Sequence, residues 1–341
     1  MRTFLQYLFA GLILITASCG KKSDVTQVVP PVKTEPDRSF TLSETNIILT
    51  AGSSQVVTST KYTNDKLTWS SSDATVATVS NAGSVAALKA GTTTITATSI
   101  DYPVKATCTI TVTEQQIKAI DIGIGGTATS YFVFIVGVDN SVSRLVNNTL
   151  TKLPDCAAVR IAVSPAGLPW IVDKTNRILK YNGTAWEVMP GSATDIGIGG
   201  DGAVYAVGTV PVPLFGGLNV MHWNGTSWND MPNIGASRIA VSREGAPHVV
   251  DGLNRYISVM NIASGTWRSI STLTASDIAV ATNNNILITG EDLDRTTSPQ
   301  IYKYDIVLNF QPVAGASGIA LAADPFGNPW FIDKANVLHK P

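Results

Sequence analysis

The sequence predicts an all-β chain, a small β-sandwich followed by a six-bladed β-propeller, and three observations predict it. Residues 39–113 are filled by short runs in which apolar and polar residues alternate, as half-buried strands require. Residues 114–341 carry two short motifs that alternate along the chain at about 40-residue spacing, the length of a four-stranded blade. An aromatic residue recurs at a fixed place within those units. Composition narrows the function classes: 14% of the 341 residues are charged, with 24 Lys+Arg against 25 Asp+Glu. So even a balance leaves no basic surface to neutralise a phosphate backbone, which excludes a nucleic-acid partner. Three cysteines and three histidines are too few for a disulfide-dense scaffold or a multi-metal site.

At the N-terminus, Arg2 precedes the apolar run Leu8 to Ile15, followed by the small residues Ala17 and Ser18 before Cys19. A charged start, a short apolar stretch and a small-residue cleavage site are the layout of a secretory signal over residues 1–18. The run is too short for a comfortable membrane span, and the polar Gly20-Lys21-Lys22-Ser23-Asp24 follows at once. Thr16-Ala17-Ser18-Cys19 resembles the lipobox of bacterial lipoproteins, although Thr16 stands where Leu is usual. That resemblance implies lipidation of Cys19 and membrane anchoring through the N-terminal lipid. An ordinary cleaved signal with a chance cysteine is the alternative. Gly20 rather than Asp after the cysteine implies, by the same resemblance, release to the outer membrane, with the leaflet left open. Pro30, Pro31 and Pro36 punctuate the rest of residues 19–38, so this stretch reads as a semi-extended tether.

In residues 39–113, Ala106, Cys108, Ile110 and Val112 share one strand face while Thr107, Thr109 and Thr111 share the other. One face is therefore buried and one wet, and Cys108 reads as a small buried hydrophobe. Trp69 reads as a plug between two sheets. The runs Leu67-Thr68-Trp69-Ser70-Ser71-Ser72-Asp73, Val76-Ala77-Thr78-Val79, Gly83-Ser84-Val85 and Ala90 to Ala97 resemble the group 2 bacterial Ig-like family, the module type of intimin and invasin stalks. That family implies a spacer or an adhesive tip and names no ligand.

In residues 114–341, Asp121-Ile122-Gly123-Ile124-Gly125-Gly126 returns as Asp195 to Gly200 and as Asp277-Ile278-Ala279-Val280-Ala281. Between these lie Arg160-Ile161-Ala162-Val163-Ser164, Arg238 to Ser242 and Gly318-Ile319-Ala320-Leu321-Ala322, so six units start at 121, 160, 195, 238, 277 and 318. Second strands carry Gly167-Leu168-Pro169-Trp170, Gly245-Ala246-Pro247-His248 and Gly327-Asn328-Pro329-Trp330; third strands carry Tyr181, Trp223 and Tyr304; fourth strands open on Trp186, Trp228 or Trp267. The sixth unit ends at Pro341 after three strands. Ring closure then needs a strand from the other end, and Val112 to Lys118 is expected to pair with Val337 to Lys340, with almost no free linker before the array. These repeats resemble the tectonin family of six-bladed lectin propellers, also found in tachylectin-like proteins; His248 in place of a Trp and Leu150 where a fourth-strand Trp would stand are departures.

No acid, base and nucleophile constellation stands out, and no enzyme, metal or cofactor is expected. His222, His248 and His339 share no ligand spacing. Asp121, Asp195 and Asp277 recur at equivalent positions, which points to a cap on a neighbouring backbone N–H rather than to paired catalytic carboxylates. Cys156 could pair with Cys108 only if the two domains abut there. The tectonin resemblance implies carbohydrate binding, and Tyr181, Trp223, Tyr304, Trp170 and Trp330 are the candidate contacts, unless they pack blade against blade. The long loops Thr209–Leu218 and Glu291–Gln300 are further places for function to collect. The expectation is a lipid-anchored surface lectin with glycans or surface polysaccharide as partner; the other class is a protein-interaction or envelope-structural module.

Overall fold

The computed structural model describes residues 36–290 and 298–341; the signal, Cys19 and most of the tether lie outside them. The chain forms two compact units that divide near the end of the strand Lys105–Thr113. Among the described residues no helix is long and apolar enough to cross a membrane.

The first unit pairs a four-stranded sheet, in the order Asn46–Thr50, Lys105–Thr113, Gly91–Ser99, Leu67–Ser71, with a three-stranded sheet of Ser54–Val56, Ser84–Ala87 and Ala77–Val79. Alternation sets the faces: Cys108, Ile110 and Val112 are buried, while Thr107 is exposed and Ala106 only half-buried. Ile95 and Ile110 are fully buried, each worth about 1.5–3 kcal/mol. Trp69 departs from the expected plug. It is half-buried because Leu67–Ser71 is an edge strand, and its indole packs at the Gly83 turn, where a Cβ would sit 3.1 Å from its Cζ2.

The second unit is built of antiparallel hairpins whose turns are written in the sequence. Asn182 Oδ1 accepts the N–H groups of Thr184 and Ala185, Asn224 Oδ1 those of Thr226 and Ser227, Asn261 Oδ1 those of Ala263 and Ser264, and Asp305 Oδ1 those of Val307 and Leu308. A short side-chain acceptor at the first position closes each turn as a backbone carbonyl would. Four-stranded sheets begin with the inner strands Ala119–Thr127, Ala158–Val163 and Ala275–Val280, and Asp195–Ile198 is the inner strand of blade 3. Blades 3 and 4 form one seven-stranded sheet, because Trp228–Val241 runs unbroken from the outer edge of blade 3 into the inner strand of blade 4. Blade 6 has three strands of its own, Ala320–Ala323, Pro329–Ile332 and Leu338–His339.

Six apolar clusters hold these sheets together, each joining two consecutive blades. Ile161 and Val163 of blade 2 meet Phe134 and Val136 of blade 1, and Ile196 of blade 3 meets Trp170 and Val172 of blade 2. The series continues around the array, and the last cluster packs Ala322, Trp330 and Ile332 of blade 6 on Ile122, Val133 and Ile135 of blade 1. The ring is closed. Hydrogen bonds say the same: Ala119 N–H donates to Asn336 O and Leu338 N–H to Ile117 O, both at 2.9 Å. Ala158, Ala193 and Ala275 make the same bond, to Asn140, Asn176 and Arg255 of the preceding blade, and all four acceptors sit at φ of 60 to 65°. The closing joint is therefore chemically the same as the internal ones. It is shorter than expected, since Val112 belongs to Lys105–Thr113 of the sandwich and only Ile117 to Ala119 pair across the seam.

One repeat start is corrected. Val163, Val241 and Ala323 pair with Pro169, Pro247 and Pro329, so Ala320, not Gly318, is the counterpart of Arg160 and Arg238. Gly318 instead matches Ala119, with its N–H bonded to Pro299 O at 2.9 Å. A two-residue slip leaves every side chain on the same face, which is why the pattern Gly-Ile-Ala-Leu-Ala could be read at either register.

Candidate functional site

With the register set, the inner strands present three rings of six equivalent positions. The first is Asp121, Arg160, Asp195, Arg238, Asp277 and Ala320. Each Asp reaches the next blade: Asp121 Oδ2 accepts Ile161 N–H at 2.8 Å, Asp195 Oδ2 accepts Ile239 N–H at 2.9 Å, and Asp277 Oδ2 accepts Leu321 N–H at 2.9 Å. The expected backbone cap is observed. Arg160 lies between two of these carboxylates, Nη1 at 3.5 Å from Asp121 Oδ1 and Nε at 3.9 Å from Asp195 Oδ1; Arg238 Nε is 3.5 Å from Asp277 Oδ1. Burial pushes Asp121 up to about 7, against the pull of Arg160, and also raises Asp277, against Arg238 and Arg160. Both flank Ala320, where no cation stands. Burial works against the charge on Arg160, yet the three carboxylates hold its pKa above the ordinary value. This belt is a device for tying blades together.

The second ring is small throughout: Gly123, Ala162, Gly197, Ala240, Ala279 and Ala322. A Cβ on Gly123 would sit 3.0 Å from Val163 Cγ2 and one on Gly197 3.1 Å from Val241 Cγ2, so neighbouring strands approach too closely for larger residues. All six strands line a space of about 90 Å³ here, room for little more than water. The third ring is Gly126, Pro165, Gly200, Arg243, Thr282 and Pro325, around a throat of about 30 Å³. Outside it the space widens to about 420 Å³ between Thr127, Ala128, Thr129, Arg243, Thr282 and Asn283.

The five aromatic candidates divide. Trp170 and Trp330 are 5% and 9% exposed and sit inside inter-blade clusters, so they are packing residues and offer no face to a sugar. Tyr181, Trp223 and Tyr304 are half-buried. Each lies opposite an aromatic on the fourth strand, Trp186, Trp228 and Phe310, with ring centroids 5.2 Å apart in every pair. Polar groups stand beside two of them, Asn182 Nδ2 donating to Glu187 Oε1 at 2.7 Å and Asn224 Nδ2 to Ser227 Oγ at 3.0 Å. The fourth-strand Trp residues also reach backwards: Trp186 Nε1 donates to Pro154 O at 3.0 Å and Trp228 Nε1 to Pro190 O at 2.7 Å.

The remaining chemical groups are placed as structural ones. His248 is buried with Nδ1 at 3.0 Å from Ala246 O, and burial lowers its pKa to about 4. His222 stacks on Tyr205 and His339 on Phe331, the latter also 2.9 Å from Asp333 Oδ2. Cys108 and Cys156 are both free thiols, raised by burial. Of the long loops, the one after Pro211 folds on itself, with Val212 N–H donating to Gly217 O at 3.0 Å and Phe215 N–H to Val212 O at 3.1 Å; residues 291–297 of the other lie outside the described residues. The third ring is not visible in the sequence because it emerges only when all six strands are superposed in register.

Residues 38–116 match the bacterial Ig-like domain (group 2) model and residues 116–212 match the tectonin domain model. No curated protein matches the chain. Among solved structures, a protein assigned as a gluconolactonase is 11% identical with a TM-score of 0.47, covering 66% of this chain and 89% of its own. An auxiliary nutrient binding protein from Bacteroides ovatus is 10% identical with a TM-score of 0.44, covering 88% of this chain and 96% of its own. Regucalcin, a calcium-binding protein from Agrobacterium tumefaciens, is 12% identical with a TM-score of 0.42, covering 61% and 80%. The chain is thus similar to group 2 bacterial Ig-like domains in its first unit and to tectonin domains in the first part of its propeller.

Proposed function

We propose that the protein is a non-catalytic carbohydrate-binding module, held on the bacterial envelope by a lipid on Cys19 and displayed on its Ig-like sandwich. The observation that carries the binding half is the threefold recurrence of a half-buried aromatic pair, at Tyr181, Trp223 and Tyr304, each at the end of a tight Asx turn on an outer hairpin. An aromatic face beside amide and carboxylate groups suits the C–H patches and hydroxyls of a sugar ring. Repeated shallow sites on one rigid ring add weak affinities by multivalency. The tectonin match supports this reading; the lipobox-like Thr16-Ala17-Ser18-Cys19 supports the anchor. A glycan array probed with the form beginning after Cys19 tests it. Binding to neutral glycans that disappears in the Tyr181→Ala, Trp223→Ala, Tyr304→Ala triple variant is expected; an array flat for neutral glycans with well-folded protein sinks it.

A further inference from the structure

Six equivalent positions surround the throat of the propeller, and five of them are neutral: Gly126, Pro165, Gly200, Thr282 and Pro325. The sixth is Arg243. Blades 2 and 6 place proline at its position, so the blade frame itself does not call for a charge. Nor does pairing. Arg243 is exposed, and the described residues give its side chain no ion pair or hydrogen bond. The neighbouring acids are engaged elsewhere, Asp201 Oδ1 by Ala203 N–H at 2.9 Å and Glu244 Oε2 by Asn284 Nδ2 at 2.8 Å. Yet the residue is positioned on both sides. Its backbone N–H donates to Asn284 Oδ1 of blade 5 at 3.3 Å, and its stem crosses Gly200 of blade 3, where a Cβ would press on Arg243 Cα and Cγ at 3.0 and 3.2 Å. A glycine at 200 gives the stem room to lie across the throat. Arg243 borders a space of about 420 Å³ edged also by the hydroxyl and amide residues Thr127, Thr129, Thr282 and Asn283 and by Ala128, Pro325 and two glycines.

A planar guanidinium with its fork free recognises a carboxylate in bidentate fashion. A vestibule of about 300–1,000 Å³ suits a small molecule, and a lining that mixes hydroxyl and amide residues with apolar Ala128 and Pro325 suits one with both hydroxyls and C–H faces, as a sugar ring has. We propose that this vestibule binds one acidic sugar residue of the uronic acid class per propeller, Arg243 taking the carboxylate and Thr127, Thr129, Thr282 and Asn283 meeting the ring hydroxyls. This site is separate from the three outer hairpins, and it stands or falls without them.

Calorimetric titration of the full chain in detergent, with sodium glucuronate, glucose and sodium acetate at matched ionic strength, tests it. Glucuronate is expected to bind at least tenfold more tightly than glucose or acetate. Arg243→Ala should cost tenfold or more of that affinity, and Arg243→Lys, which keeps the charge but not the fork, several-fold. The Tyr181→Ala, Trp223→Ala, Tyr304→Ala variant should leave it within twofold of the parent. Equal binding of glucuronate and glucose, or unchanged glucuronate binding in a folded Arg243→Ala variant, overturns the proposal. A flat glycan array alongside a positive glucuronate titration would instead remove only the hairpin reading.

Discussion

Asp121 is the residue at which burial and charge conflict most plainly. It ties blade 1 to Ile161 of blade 2, yet its carboxyl is buried with one cation on one side and Ala320 on the other, and it titrates at about 7. An unfolded Asp titrates near ~3.9. Between those values the native chain keeps a proton that the unfolded chain has released, so this contribution is fully present below about pH 4 and is lost as pH rises through about 7. Asp277, also raised by burial, acts with the same sign. The charged groups around Asp121 are Arg160, Asp195 and Asp277, two acids against one cation. Asp173 works the other way, since hydrogen bonds from Thr175 and Arg177 outweigh its burial and hold it below the usual range. Asp121→Asn can still accept the Ile161 N–H. It is expected to flatten the fall in unfolding free energy between pH 5 and 7, a slope of up to about 1.4 kcal/mol per pH unit for one proton. Urea unfolding at several pH values reads this; an unchanged slope in the variant would show that another group sets it. The role of the three Asp residues was legible in their recurrence, but the raised pKa of Asp121 and Asp277 was not, because burial depends on strands about 40 residues away.

At the scale of the element, each hairpin is specified locally and each joint is not. Asn182 and Asn224 close their turns through bonds reaching two or three residues ahead, which a sequence shows directly. Trp228 opens its strand in a way the sequence also shows, but its indole bonds Pro190 in the preceding blade and its ring lies 3.1 Å from where a Cβ on Gly191 would be. Trp228→Phe keeps a ring against Trp223 and loses the bond to Pro190 O. A loss of about 1 kcal/mol is expected in thermal or chemical unfolding, and none would mean the bond contributes nothing beyond its water-exposed alternative. Trp170 and Trp330 illustrate the limit of a motif. Their Pro-Trp setting marks a second strand correctly, but whether a Trp faces solvent or a neighbouring sheet is settled by the blade that packs on it.

At the scale of the whole molecule, stability rests on a ring whose last joint comes from opposite ends of the propeller. Leu338 N–H donates to Ile117 O and Ala119 N–H to Asn336 O, and Leu338 packs against the cluster that joins blades 6 and 1. Leu338→Pro removes the first donor at that seam. It is expected to cost about 1–3 kcal/mol, the range for a hydrogen bond lost with its acceptor left unpaired, and to speed hydrogen exchange at Ala119 and in Pro329–Ile332 ahead of blades 2 to 4. Uniform exchange across all blades would argue that the seam is not the weak joint. The composition also acquires a cause at this scale: much of the small complement of charge is kept at turns and surfaces, while three Asp and two Arg are spent tying inner strands at the axis. By itself the sequence determined strand alternation, turn chemistry, the number of repeats and the need for a closing strand, because each depends on neighbours within a few residues or on a repeat count. Only the tertiary structure decided the register of the sixth unit, which tryptophans are core, and that Arg243 stands alone at the throat. Those depend on which strands lie side by side, and a period-two pattern is blind to a two-residue slip.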